Sequence, residues 1–335
     1  MSKRRLNNQR LNNQRLMELL CFFNDSHCAG EGVLPFLCDC TKEATQYRGV
    51  CKEFKHAIAC FPWKKGPGIK RRFSSWHECF PNAVNCTIVT DHLRAEDVPL
   101  FKDLVQLSLV SSFEFVAHAM SFPLLGRARY VILQYSASIE DDEVRLRATA
   151  VVAEHCLNLQ ILKLDDCTDD MLLNLQRCPK LVNLWFNDDD EVLISSEGLA
   201  QFGQCKPIQV LTIDYTTEAM CVAIADNFPA LTSFSTFSIE DVSEKSLVRL
   251  VKNCPDLFRV WIEHVDMPMQ ELLLALSCHP KITDIWMSET PVTDKGVFAL
   301  MQSKSLRNLV LTYYEGTLSE ACKAALFKRF PFCFN

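Results

Sequence analysis

Along most of this chain apolar residues recur in the pattern apolar-x-x-apolar-x-apolar. Clean copies stand at Leu104/Leu107/Leu109, Leu159/Leu162/Leu164, Leu181/Leu184/Phe186, Ile208/Leu211/Ile213, Leu257/Val260/Ile262, Ile282/Ile285/Met287 and Leu306/Leu309/Leu311. Leu231/Phe234/Thr236 has a polar third position, and Val84/Thr87/Val89 and Ala128/Val131/Leu133 are degenerate copies. The ten first positions are separated by 20, 24, 31, 22, 27, 23, 26, 25 and 24 residues. That is close to the roughly 20–29 residues of a short strand-plus-helix repeat. Alternation within each motif predicts a strand whose apolar residues share one face. The stretches between motifs have helical spacing instead. Val292 to Leu300 opens on Thr293-Asp294, 242–251 opens with Ser243 as its N-cap, and 216–227 and 318–330 follow the same plan. One strand and one helix cannot bury their own apolar faces, so successive units are expected to stack around a shared core.

Where each predicted helix turns back, a particular residue type recurs. Cys156, Cys178, Cys205 and Cys254 precede their motifs by three residues, and Phe80, Phe122 and Phe228 hold similar places. Pro81, Pro123, Pro179, Pro229, Pro255 and Pro280 stand at or just beyond this turn. A place shared by Cys and Phe is expected to be a buried packing site rather than a metal ligand. With Cys254-Pro255-x-Leu257-x-x-Val260-x-Ile262 as the repeat core and Thr293-Asp294-x-Gly296 as the helix start, the chain resembles the cysteine-containing leucine-rich-repeat family over about residues 80–330. The resemblance implies an α/β fold: a leucine-rich-repeat solenoid of about ten repeats, a ribonuclease-inhibitor-like horseshoe, over 80–335.

Stacked strands of such a solenoid line its concave side, and the residues between the apolar positions face out there. The middle outward column is Lys163, Trp185, Thr212, Ser235, Trp261, Trp286, Val310, which contains every tryptophan of the repeat region. The next column is Asp165, Asn187, Asp214, Phe237, Glu263, Ser288, Thr312, and the loops add Asp166, Asp188, Asp189, Asp190 and Glu191. Trp185, Trp261, Trp286, Asp214, Phe237 and Glu263 are therefore the candidate partner-binding residues. Clustered exposed aromatics mark binding hot spots, and acidic flanks suit a protein segment that carries Arg or Lys. The competing expectation is that the indoles pack under neighbouring loops.

Residues 1–79 do not fit the repeat. A polar lead-in, 1–15, duplicates Arg5-Leu6-Asn7-Asn8-Gln9 as Arg10-Leu11-Asn12-Asn13-Gln14. Leu16 to Phe23 is apolar at helical spacing; Val33-Leu34-Pro35-Phe36-Leu37 and Thr41 to Ile58 follow after a break, and then Trp63. Val50-Cys51-Lys52-Glu53-Phe54 with Trp63 resembles the second half of an F-box, which makes 16–63 a small all-α F-box-like domain. That resemblance implies docking on a Skp-type adaptor and a cullin scaffold through Leu34, Pro35, Phe36, Leu37, Val50, Cys51, Lys52, Phe54 and Trp63. The F-box's usual opening Leu-Pro is absent from Ser26–Glu31, and Leu34-Pro35 stands closer to Val50, so the first half is divergent. Two other readings of this segment stay open. One is a helical cap for the solenoid. The other is a zinc module drawing on Cys21, Cys28, Cys38, Cys40, Cys51, Cys60, His27 and His56, although no Cys-x-x-Cys pair occurs among them. Lys64 to Arg72 is basic and broken by Gly and Pro, a linker with a capping helix over 64–79.

The composition narrows the function classes. A net charge of −6 gives no general case for nucleic acid, and no apolar run is long enough to span a bilayer. Seventeen cysteines without an export signal suggest a reducing cytoplasm or nucleus. No nucleophile–base pair, phosphate loop or calcium loop is present, so no catalysis and no cofactor or metal is expected. The expected function is the substrate-recognition subunit of an SCF-type E3 ubiquitin ligase, with a protein target on the concave face. The alternative is a leucine-rich-repeat scaffold or inhibitor that uses the same face without a ligase.

Overall fold

A computed structural model of the chain describes residues 126, 128–134, 142–187, 193–239, 241–265, 267–312 and 318–330, together with the backbone of two earlier strands, β1 (Asn85–Val89) and β2 (Gln106–Ser112). The chain divides into two units, 1–107 and 108–335, and the architecture below belongs to the second. Eight parallel strands follow one another in sequence order: β3 (Ala128–Gln134), β4 (Ile161–Asp165), β5 (Asn183–Asn187), β6 (Val210–Thr216), β7 (Ser233–Ile239), β8 (Arg259–Glu263), β9 (Asp284–Ser288) and β10 (Asn308–Thr312). Each is followed by a helix: α1 (Asp142–His155), α2 (Asp169–Leu175), α3 (Ser196–Cys205), α4 (Glu218–Asn227), α5 (Glu244–Asn253), α6 (Gln270–Cys278), α7 (Asp294–Gln302) and α8 (Glu320–Arg329). This is a solenoid of the leucine-rich-repeat type. The 31-residue gap after Ala128 accommodates α1, at 14 residues the longest of the eight helices. Helices need about 8–10 Å from axis to axis where strands need about 4.8 Å, so stacking curves with the strands on the inner, concave side.

The apolar motif positions build the core. Leu162, Leu164, Leu184, Leu211, Ile213 and Leu257 are fully buried, and so are the degenerate Ala128, Val131 and Leu133. The polar third position, Thr236, is buried as well. Its hydroxyl pairs with Thr216 Oγ1 at 2.9 Å and with the Ser238 carbonyl, which satisfies it inside the core.

Helix starts are linked from one repeat to the next. Thr168, Ser195, Thr217, Ser243, Thr293 and Ser319 each cap their own helix by accepting from a backbone N–H. The acidic residue that opens a helix then reaches the following repeat. Asp169 accepts from Ser195 N at 2.9 Å and Ser195 Oγ at 2.6 Å, and Asp294 accepts from Ser319 N at 3.0 Å. Helix α6 has Met269 at its cap position and no side-chain cap, and there Glu244 Oε1 accepts from Leu272 N at 2.9 Å in its stead. Gly198 leaves room for this ladder, because a Cβ there would lie 2.0 Å from Asp169 Oδ1.

Helix ends are linked in the same way, which gives the recurrent turn residue a second purpose. Cys156, Cys178, Phe228 and Cys254 are buried, as expected. Cys254 also donates its thiol to the Phe228 carbonyl at 3.5 Å. His279 takes this place in the next repeat. Lys281 N donates to its Nδ1, so Nε2 carries the proton and donates to the Cys254 carbonyl at 3.2 Å. Cys205 departs from the expectation and is exposed. Its proline comes one residue late, at Pro207, and holds Lys206 in an extended conformation (φ −131, ψ 126) directly after the helix. Lys206 therefore supplies the donor, with Nζ 2.6 Å from the Cys178 carbonyl, and burial lowers its pKa from the ordinary lysine value.

Candidate functional site

Strand alternation sends the fourth and sixth motif positions inward and turns the fifth and seventh to the concave face. The register aligns Lys163 with Trp185, Trp185 with Thr212, Thr212 with Ser235, Ser235 with Trp261, Trp261 with Trp286 and Trp286 with Val310. Trp185 and Trp286 are 39% and 36% exposed, and Trp261 is half-buried. Trp185 and Trp286 are thus exposed among the described residues, and Trp261 is partly covered.

The structure brings four of the six candidates together. Trp261 and Trp286 stack with centroids 4.7 Å apart and planes at 18°, and Phe237 meets Trp261 edge-on at 5.4 Å and 83°. Trp261 Nε1 donates to Glu263 Oε1 at 2.6 Å, which fixes the indole's rotation and holds a carboxylate at the rim of the cluster. Trp185 stands apart, three strands away on β5, with Lys163 Nζ 5.9 Å from its ring centroid. Asp214, half-buried on β6, lies between the two groups.

Two features escaped the reading of the sequence. Lys163 and Trp185 are direct cross-strand neighbours, a pairing visible once the column is written out. The second lies just beyond the strand ends, where Asp166, His264 and Glu289 adopt left-handed φ of 49, 50 and 48 degrees. His264 Nδ1 and Glu289 Oε2 sit 2.8 Å apart there. The repeated turn thus places titratable polar side chains in a conformation usually left to glycine, at a cost of about 1 kcal/mol each. No apolar periodicity reports such a turn.

Leu34, Pro35, Phe36, Leu37, Val50, Cys51, Lys52, Phe54 and Trp63 lie outside the described residues, as do the basic stretch 64–72 and the N-terminal cysteines. Among the described residues no three metal-ligating side chains cluster, and no helix is long and apolar enough to cross a membrane.

No family model and no curated protein sequence matches the chain. Solved structures do. A chain from the crystal structure of the Rad7 and Elc1 complex in yeast superposes with a TM-score of 0.63, over 99% of this chain and 91% of that one, at 12% identity. At that identity the likeness is one of fold: a parallel sheet and helices alternating in a leucine-rich-repeat-like solenoid.

Proposed function

We propose that this chain is the substrate-recognition subunit of an SCF-type ubiquitin ligase. The concave face of the solenoid holds the protein target, and the F-box-like segment docks a Skp-type adaptor carried on a cullin scaffold. The observation that carries the binding half is the Phe237–Trp261–Trp286 cluster. Trp286 is exposed and Trp261 and Phe237 are half-buried beside it, where the fold already has a filled core, a composition that suits a hot spot. Support for the adaptor half is the Val50-Cys51-Lys52-Glu53-Phe54 and Trp63 pattern directly before the repeats. The solved chain of similar fold was itself crystallised in a complex, that of Rad7 with Elc1. Function is argued from the site, since one solenoid fold serves many purposes. The chain contributes no catalytic group in this reading, and ubiquitin transfer resides in its partners.

The test is co-purification of the full chain with a Skp-type adaptor and a cullin. Wild type should retain both, and the double variant Val50→Asp, Phe54→Asp should lose both while the solenoid melts at its usual temperature. Wild-type protein that never retains the adaptor removes the ligase reading and leaves the scaffold or inhibitor that uses the same face.

A further inference from the structure

The joint between the repeats of β8 and β9 carries the indole stack, and a buried histidine closes it at its base. His279 is 8% exposed and stands where the two preceding repeats have Phe228 and Cys254. Neither of those side chains can gain a positive charge, whereas an imidazole can. The two ring nitrogens have opposite duties. Nε2 donates to the Cys254 carbonyl at 3.2 Å, in the loop that leads into β8. Nδ1 accepts from Lys281 N at 3.3 Å, in the loop that leads into β9. This pair of bonds needs the neutral ring, because an imidazolium has two donors and no acceptor. A proton on Nδ1 would face the Lys281 N–H, donor against donor, in a place sheltered from water.

The groups around the ring do not rescue its charged form. Asp256, in the loop before β8, is already paired with Lys281 Nζ. The Cys254 thiol, pushed up to about 12 by burial, is neutral. The loop after α7 adds Ser305 Oγ, uncharged, which donates to the His279 carbonyl at 3.3 Å. Burial holds the imidazole below the ordinary histidine range; the bond to the Cys254 carbonyl opposes this, Lys281 reinforces it and Asp256 opposes it. The neutral clasp is therefore complete above the unfolded value of about 6.5 and is lost as pH falls through the lower folded value. The strand that this loop starts carries Trp286. Thr283 N and Asp284 N donate to the Phe258 carbonyl at 2.8 and 3.0 Å, and two residues further Trp286 stacks on Trp261. At the far end of the joint His264 N donates to the Ser288 carbonyl at 3.1 Å, and His264 Nδ1 meets Glu289 Oε2 at 2.8 Å. That second clasp is favoured by a protonated ring, so acid loosens the base of the joint and leaves its tip closed.

We propose that His279 is an acid switch on the target-binding face: a proton on Nδ1 expels the Lys281 N–H, frees the loop 279–283 and turns Trp286 off Trp261, so that a target held at neutral pH is released in mild acid. The release rests on the proposal that the concave face binds the target; the switch itself belongs to the free chain.

The test follows the Trp261 and Trp286 indole N–H signals of the full chain by NMR, assigned through Trp261→Phe and Trp286→Phe. A titration from about pH 7.5 to about pH 5.5 isolates histidines, because carboxylates titrate near 4. Both signals should move with a common midpoint below about 6.5. His279→Gln, which keeps a donor and an acceptor but takes up no proton, should hold them fixed, and His264→Gln should leave the movement in place. His279→Cys, which installs the residue of the preceding repeat, is the second non-titrating variant should glutamine fit poorly. Signals that stay fixed in wild type, or move as far in both His279 variants, overturn the switch. So does movement that His264→Gln abolishes, which belongs to the Glu289 pair. Peptides without histidine, selected on phage against the full chain at neutral pH, read the release. Wild type should bind them about fivefold more weakly in mild acid, the worth of one hydrogen bond, and His279→Gln less than about twofold more weakly. Equal weakening of both overturns the release. Peptides indifferent to Trp261→Ala and Trp286→Ala would sink the concave-face reading and the release with it, while the indole signals decide the switch.

Discussion

Replacing Glu218 with Ala measures how far the repeats depend on hydrogen bonds between them. Glu218 opens α4, and its carboxylate reaches the start of α5. Oε2 accepts from Ser243 N at 2.7 Å, and Oε1 accepts from Ser243 Oγ at 2.9 Å and Ser246 Oγ at 2.5 Å. Burial by itself would raise the pKa of this group, but the hydrogen bonds from Ser246 and Ser243 outweigh it and hold the carboxyl below its ordinary value. Alanine removes three charge-assisted bonds and leaves the nearly buried Ser246 hydroxyl with Ser243 Oγ, 3.1 Å away, in place of a carboxylate. The carboxylate is partly solvated, so each bond is set near the low end of its range, about 1 kcal/mol, or about 3 kcal/mol together. For a unit of this size that corresponds to a fall in melting temperature of roughly 6–12 °C. Glu218→Gln keeps the shape but has one acceptor oxygen, and about half the loss is expected.

Circular-dichroism melts across pH give a second readout. The folded pKa lies below the unfolded value of about 4.3, so the stabilisation is complete above that pH and disappears as pH falls through the folded pKa. The gap between wild type and Glu218→Ala should be the same at pH 7 and pH 6 and close under acid conditions. A melting temperature within about 2 °C of wild type at neutral pH, or a gap that persists undiminished into acid, refutes the reasoning.

Other perturbations probe separate parts of the molecule. A Cβ at Gly203 would lie 2.5 Å from Phe228 Cε2 and 2.8 Å from the Asn227 carbonyl oxygen. Gly203→Ala should therefore cost about 1–3 kcal/mol as overpacking between α3 and α4, and a neutral melt would mean that these helices separate freely. Trp261→Ala, Trp286→Ala and the double variant should show a coupling of about 0.5–1.5 kcal/mol from the stacked rings; strict additivity would mean that the rings do not stack in solution. Burial pushes the Cys221 and Cys254 thiols up to about 12 and Cys178 up to about 11, whereas Cys205 and Cys278 are exposed. Among the eight cysteines of the described residues, alkylation of the native protein at pH 8 followed by peptide mapping should label Cys205 and Cys278 first, and rapid labelling of Cys254 would contradict its place in the core.

Local pattern determined a large part of this protein. The motif period located the strands from Ala128 to Thr312, and helical spacing located α4, α5, α7 and α8, because periods of 2 and 3.6 act within a few residues of chain. The same alternation places Trp185, Trp261 and Trp286 in one column. Tertiary structure decided how the columns interact. Glu218 meets Ser243 and Asp169 meets Ser195 across 25 and 26 residues, contacts that exist only once neighbouring repeats are stacked at a definite spacing. The exposure of Cys205 follows from one proline displaced by one residue, a shift the shared Cys position conceals. The stack of Trp261 on Trp286 and the edge contact of Phe237 depend on rotamers chosen by side chains on adjacent strands. Sequence assigns a residue to a face; packing between repeats chooses what it touches there.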